Sequence, residues 1–375
     1  MKSSKLATCA SIRWMLALGM SATCLALLVV SLQMAGRVAA ARHASAALAP
    51  APRSSYLFRY DPASRTFYTM TLPVGSLPYD VAVTGTNPTH VWVAEFGRDR
   101  IGHLVYTNAN SVVWTEHPVA SNRRPFHITV NGNDVWFTER GANRVGRLNA
   151  TTGQIAEYSG NGLSANAGLA DIRVAPNGWV WAAGQSSNRI IRLVVTPTGY
   201  AFSEYSHALL AGPFGLAVES SNSIWFTMPG AHLVGRFTPS DGSFLWPFGF
   251  ASDSAPTELV ATPAFVWFSD PQRNAIGQLE IGTLTNLNYY TPVARPTGLA
   301  SESPSRFWFT QQDQRGAVGR LIYTSTVSTR FDSYPLPTSG LQPTGIAVAS
   351  DKGVWFGAFA PHRSYLPVVL NNYSN

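Results

Sequence analysis

Arg124-Pro125-Phe126-His127-Ile128-Thr129-Val130, then Val135-Trp136-Phe137-Thr138-Glu139, then Asn143-Arg144-Val145-Gly146-Arg147-Leu148, is the stretch that decides the fold. Each piece is a short run rich in β-branched and aromatic residues. Asn, Asp and Gly separate the runs. Such runs read as strands joined by tight turns. The turn Thr151-Thr152-Gly153 and the run Gln154 to Tyr158 add a fourth strand.

Outward from this stretch, the same unit recurs seven times. Its clearest mark is an apolar residue followed by Trp: Val91-Trp92, Val135-Trp136, Val180-Trp181, Ile224-Trp225, Val266-Trp267, Phe307-Trp308 and Val354-Trp355. Successive Trp residues are 44, 45, 44, 42, 41 and 47 apart. Before each Trp comes a short apolar strand, as in Pro78 to Val83, Pro213 to Val218 and Pro343 to Val348. After it comes a strand of the Val-Gly-Arg type, as in Leu233 to Phe237 and Ala317 to Leu321. Four short strands at a period of 40–45 residues are the signature of propeller blades. One four-stranded sheet cannot bury both faces alone, so the units must stack. The sequence therefore predicts an all-β, seven-bladed β-propeller of four-stranded antiparallel blades over 56–362. The Trp residues fill the wedges between sheets, and the Gly of the third strand allows close backbone approach there.

Closure can also be read. Tyr56 to Asp61 matches a third strand and Arg65 to Met70 a fourth, while Gly345–Val348 and Val354–Gly357 supply only a first and second. N-terminal strands should therefore complete the last blade and remove two free edges. A competitor is the tail 363–375, whose Arg363 to Leu370 falls where a third strand belongs but contains Pro367.

The N-terminus reads differently. Lys2, Lys5 and Arg13 precede an apolar stretch from Trp14 to Met34, and Arg37-Val38-Ala39-Ala40-Ala41 follows. Residues 1–41 thus have the order of a secretory signal. The apolar stretch is also long enough to stay as a membrane anchor. Residues 42–55, rich in Ala and Pro, read as a linker. The expected location is secreted or extracytoplasmic, with the membrane met only through an uncleaved N-terminal segment. The formal charge of +7 loses Lys2, Lys5, Arg13 and Arg37 with that segment, and +7 − 4 leaves +3. Its Arg residues recur mostly at one repeat position, so no nucleic-acid surface is indicated. Cys9 and Cys24 both lie in the segment, which leaves the propeller without a disulfide or a thiol nucleophile.

The quoted motifs resemble the streptogramin lyase (virginiamycin B lyase) family of seven-bladed propellers, over roughly residues 54–360. The resemblance implies a Mg²⁺-dependent carbon–oxygen lyase that opens a macrocyclic lactone by elimination. A base removes a proton beside the ester while the metal draws charge from the carbonyl. Family members that do this carry His directly after Pro in the first strand of two neighbouring blades. Here that position reads Tyr79, Phe126, Ala170, Phe214, Thr257, Thr297 and Thr344. The base positions are unfilled.

The next position reads Asp80, His127, Asp171, Gly215, Glu258, Gly298 and Gly345. Three blades pair a polar residue there with an acid three residues past the Trp: Asp80 with Glu95, His127 with Glu139, and Glu258 with Asp270. Two functional readings follow if these converge at the channel mouth. Asp80, Glu95, Glu139, Glu258 and Asp270 would be ligands for Mg²⁺ or Ca²⁺ beside one imidazole, or His127 would act as a base steered by Glu139. The structural alternative is that they hydrogen-bond backbone at strand starts. Overall the sequence reads as an exported lyase-like propeller that binds a small molecule, glycan or protein at the channel mouth. The alternative is a metal-dependent lyase or lactonase with displaced catalytic groups.

Overall fold

The computed structural model describes residues 54–361, apart from 248, 249, 251, 292 and 327. The N-terminal segment, residues 42–53 of the linker and the tail 363–375 lie outside the described residues. Among the described residues, no helix is long and apolar enough to cross a membrane.

Within the described residues, twenty-eight strands form seven four-stranded antiparallel sheets. The innermost strands, in blade order, are Pro78–Thr84, Pro125–Asn131, Leu169–Val174, Leu216–Ser220, Leu259–Ala261, Pro296–Ser303 and Gln342–Val348. Each packs beside the next, and the seventh packs beside the first. The ring closes as the sequence predicts. In the last blade Val354–Phe359 pairs with Ser55–Asp61, which pairs in turn with Thr66–Leu72. The third-strand slot is therefore filled by N-terminal chain, and Phe58 stacks on Phe356 with ring centroids 5.4 Å apart. The strand starts at Ser55, one residue earlier than expected.

The Trp series is core. Trp92, Trp181, Trp225, Trp267 and Trp308 are fully buried, and Trp136 and Trp355 nearly so. The recurrent Arg has a reason the spacing did not reveal. It is the cross-strand partner of the Trp, as in Trp136 with Arg147, Trp225 with Arg236 and Trp308 with Arg320. The guanidinium lies 5.3–5.5 Å from the indole centroid in these three pairs, within cation–π reach. The third-strand Gly serves differently from the expectation. A Cβ on Gly146 would lie 2.1 Å from the Phe137 ring, and one on Gly277 would lie 2.0 Å from Phe268. The glycine thus makes room for the Phe that follows the Trp, rather than for a neighbouring backbone.

The Thr or Ser two residues past the Trp ties blades together. Thr227 Oγ1 accepts the amide of Gly215 at 2.8 Å and donates to Thr257 O of the next blade. Thr138, Ser269 and Thr310 donate in the same way to Ala170 O, Thr297 O and Thr344 O. Blades one and three have Ala94 and Ala183 there. In these blades a carboxylate spans the joint instead. Asp80 accepts the amides of Val81 and Ile128, and Asp171 accepts those of Ile172 and Leu216. Thr344 Oγ1 donates to Pro78 O and completes the circle. All seven blade joints thus carry a hydrogen bond, buried in six and part-buried at Ser269, each worth about 1 kcal/mol net.

Candidate functional site

The site starts from a local irregularity of the inner strands. Pairing with the second strand slips register between Pro78 and Asp80, Pro125 and Ile128, Leu169 and Ile172, Pro296 and Leu299, and Pro343 and Ile346. The slip falls at the same repeat position in these five blades. Such irregularities re-aim side chains, and here they turn Asp80, His127 and Asp171 to the channel. Glycines at that position leave space: a Cβ on Gly345 would collide with Asp80 Oδ1 at 2.0 Å.

The result is a charged layer across the channel. His127 is 3 % exposed. Its Nδ1 lies 3.3 Å from Asp80 Oδ2 and 3.4 Å from Asp171 Oδ1, and its Nε2 lies 3.7 Å from Glu258 Oε1. Arg173, two residues past Asp171 and so on the same strand face, reaches Asp171 at 2.5 Å and Glu258 at 3.6 Å. Neither imidazole nitrogen has a hydrogen bond of good geometry among the described residues. Burial alone would depress the imidazole pKa. The charges of Glu258, Asp171 and Asp80 outweigh it and push the pKa up to about 9. Burial raises the Asp171 and Glu258 carboxyls despite the cations beside them.

This layer separates two spaces. On the side where the inner strands begin, a depression opens to solvent, lined by Tyr79, Phe214 and Phe359 with Thr257, Thr297 and Thr344, and floored by His127 and Glu258. Phe126 stacks on Tyr79 at 3.8 Å, and the Arg140 guanidinium covers Phe126 at 4.6 Å. On the other side, Asp80, Arg173 and Glu258 face a second space walled by the inner-strand backbones.

Of the six acidic or basic residues singled out from the sequence, the fold brings together Asp80, His127 and Glu258. Glu95, Glu139 and Asp270 make their contacts elsewhere. Asp270 holds the loop entering its own inner strand, accepting from Ser254, Ala255 and Arg273. Gln311 of blade six does likewise, accepting the amide of Ala294 at 3.1 Å. Glu139 faces Arg123, 3.3 Å away, rather than His127, so the geometry pairs His127 with Asp80, Asp171 and Glu258 and not with Glu139. Both carboxylate oxygens of Glu95 and of Glu139 are buried without a hydrogen bond among the described residues. Burial pushes Glu95 up to about 7 and Glu139 to about 8. Asp171 and Arg173 join the site without having been among the six residues singled out from the sequence. Their signal was present: Asp171 shares the repeat position of Asp80 and His127, and Arg173 lies two residues on. His103 takes the Arg slot of blade one and stacks flat on Trp92 at 3.7 Å.

These features define a seven-bladed propeller with an aromatic mouth above a buried ionic layer. The profile of the virginiamycin B lyase family matches residues 114–364, and the chain belongs to that family. A virginiamycin B lyase of Nocardia farcinica (strain IFM 10152) is 26 % identical over 180 residues, which are 39 % of this chain and 62 % of that protein. A streptogramin B lyase structure superposes with TM-score 0.66 at 25 % identity, covering 82 % of this chain and 97 % of that one. A catalytically inactive histidine-to-alanine variant of the Staphylococcus aureus virginiamycin B lyase, solved with quinupristin, shares the fold at TM-score 0.62 and 23 % identity, covering 76 % and 96 %.

Proposed function

We propose that this chain is a binding propeller that acts outside the cytoplasm behind its N-terminal export segment, and that its mouth holds a ligand without opening a lactone ring. The observation that carries this reading is the chemistry of the mouth. The positions where catalytic relatives are expected to carry His hold Tyr79, Phe126, Ala170, Phe214, Thr257, Thr297 and Thr344. Only Tyr79 among these carries a titratable group, and burial raises its phenol further above neutral pH, away from the range that suits a base. Tyr79, Phe214, Thr257, Thr297 and Thr344 of this set, together with Phe359, instead line a concave, solvent-open space with aromatic rings and hydroxyls. Apolar walls with a few placed polar groups suit a small molecule or glycan with one flat apolar face. The metal-dependent lyase or lactonase reading would need His127 on the floor of the mouth as its base, and the charges of Glu258, Asp171 and Asp80 favour the protonated form of that imidazole at neutral pH.

Thermal-shift titration of purified protein with a streptogramin B antibiotic and with neutral oligosaccharides tests the reading. At least one should raise the melting temperature, and Tyr79→Ala should remove that response. Accumulation of ring-opened antibiotic would contradict it.

A further inference from the structure

We propose that His127, Asp171 and Glu258 form a divalent-cation site in the channel, on the floor of the mouth. One donor atom from each lies within 4.8 Å of the others. The three come from blades two, three and five, so no local sequence motif holds them; closure of the ring does.

Two further observations point to a ligand. First, His127 is nine-tenths buried or more and aimed into the cluster, yet both its nitrogens lack a well-formed hydrogen bond among the described residues. A buried imidazole in a polar layer normally donates or accepts at both nitrogens. Second, His127 and Glu258 are not needed for the blade joints. Asp80 and Asp171 stand in blades whose second strand has lost its linking hydroxyl, and their carboxylates replace it. Blades two and five keep that hydroxyl in Thr138 and Ser269. The imidazole and the Glu258 carboxylate therefore sit in the channel with the structural link already made.

Charge agrees with this. A ligating imidazole is neutral. Asp80, Asp171 and Glu258 then carry three negative charges, and Arg173 carries one positive charge. The layer sums to −2, which one divalent cation cancels. Arg173 now occupies part of the space, 2.5 Å from Asp171 and 3.6 Å from Glu258. It is a built-in competitor, and it borders the second space into which its guanidinium can withdraw. One nitrogen and two carboxylate donors favour Zn²⁺ over Mg²⁺ or Ca²⁺, which prefer all-oxygen shells. A cation here would offer open coordination positions to a ligand in the mouth above.

Zn²⁺ is the probe. Chelator-treated full-length protein is titrated with Zn²⁺ by calorimetry, and its melting temperature is followed in parallel. The proposal expects one saturable site and a rise in melting temperature larger than Mg²⁺ gives. Glu258→Gln and His127→Asn should each weaken binding by at least about tenfold. Arg173→Gln should tighten it, an effect that a purely structural ion-pair layer would not produce. Glu258 is partly exposed and makes only long contacts, so its variant should fold even if His127→Asn does not. His103→Asn controls for zinc held by the outer pair His90–His103, whose ring nitrogens lie 2.9 Å apart. Binding that survives Glu258→Gln, or that is abolished by His103→Asn, overturns the proposal. So does weaker binding in Arg173→Gln.

Discussion

Asp171 Oδ2 accepts the backbone amide of Leu216, one blade away, at 2.7 Å. It occupies the joint that five other blades bridge with a Thr or Ser hydroxyl. The ring is thus held by a polar link repeated at each joint: a hydroxyl two positions past the Trp in four blades, an inner-strand carboxylate where that residue is Ala, and the inner-strand Thr344 where it is Gly357.

That link can be tested where the hydroxyl both accepts and donates. Thr227→Val leaves the Gly215 amide and the Thr257 carbonyl buried without their partner. The loss should be about 1–3 kcal/mol of unfolding free energy, read from urea denaturation. A variant as stable as the parent would show that the blade joints rest on apolar packing alone.

Glu139 and Glu95 should be liabilities at neutral pH. Burial raises their folded pKa values, to about 8 and about 7, above the ordinary carboxylate value of 4.5. The stability contribution of a raised group is fully present below the unfolded pKa. It is lost as pH rises through the folded pKa. Stability attributable to Glu139 should therefore fall between pH 4.5 and 8. Glu139→Gln should remove that slope and raise the melting temperature at pH 8, with Gln311 as the natural precedent for an amide at this position. A lower melting temperature in the variant at pH 8 would mean that the pair with Arg123 outweighs the burial.

His103 should act in the opposite sense. Burial, with the neighbouring His90 and His117, lowers its pKa to about 4. A depressed imidazole favours the folded state above the unfolded pKa near 6.5, and that advantage is lost as pH falls toward 4. Melting curves from pH 4 to 7 should show an acid limb that His103→Gln flattens. Blade five already carries Gln278 in this slot, facing Trp267. An unchanged acid limb would place the titration elsewhere.

Deleting residues 54–72 should abolish cooperative melting. The deletion removes both strands that complete the last blade and exposes the edge of Val354–Phe359. Phe58→Ala is the gentler version and should cost about 3–5 kcal/mol through loss of the stack on Phe356. A truncated chain that melts as sharply as the parent would mean that other chain fills the slot.

The fold was legible because its signal is periodic. A Trp every 41–47 residues fixes the blade count, and mismatched ends at Tyr56–Met70 and Gly345–Gly357 fix the closure. The site was legible only in part. Asp80, His127 and Glu258 share one repeat position, so ring symmetry brings them together. Glu95, Glu139 and Asp270 share another, and the same symmetry sends them to the inner-strand entries. Which position turns into the channel depends on the register slip in the inner strand, and no residue type announces it. Arg173 was hidden because its partner Glu258 comes from a blade 85 residues further along the chain. The recurrent Arg and Gly were visible as a pattern, but their reasons required knowing which residue faces them across the ladder.

This member of a lyase family should bind at its mouth without catalysing lactone opening. The most direct measurement is incubation of purified protein with a streptogramin B antibiotic and Mg²⁺, followed by chromatography with mass and absorbance detection. An active streptogramin lyase run alongside shows that the assay works. Elimination opens the ring without adding water, so product and substrate have equal mass and separate by retention. The antibiotic should stay intact at every protein concentration. A linear isomer of unchanged mass, formed in proportion to protein and lost on chelation, would contradict it.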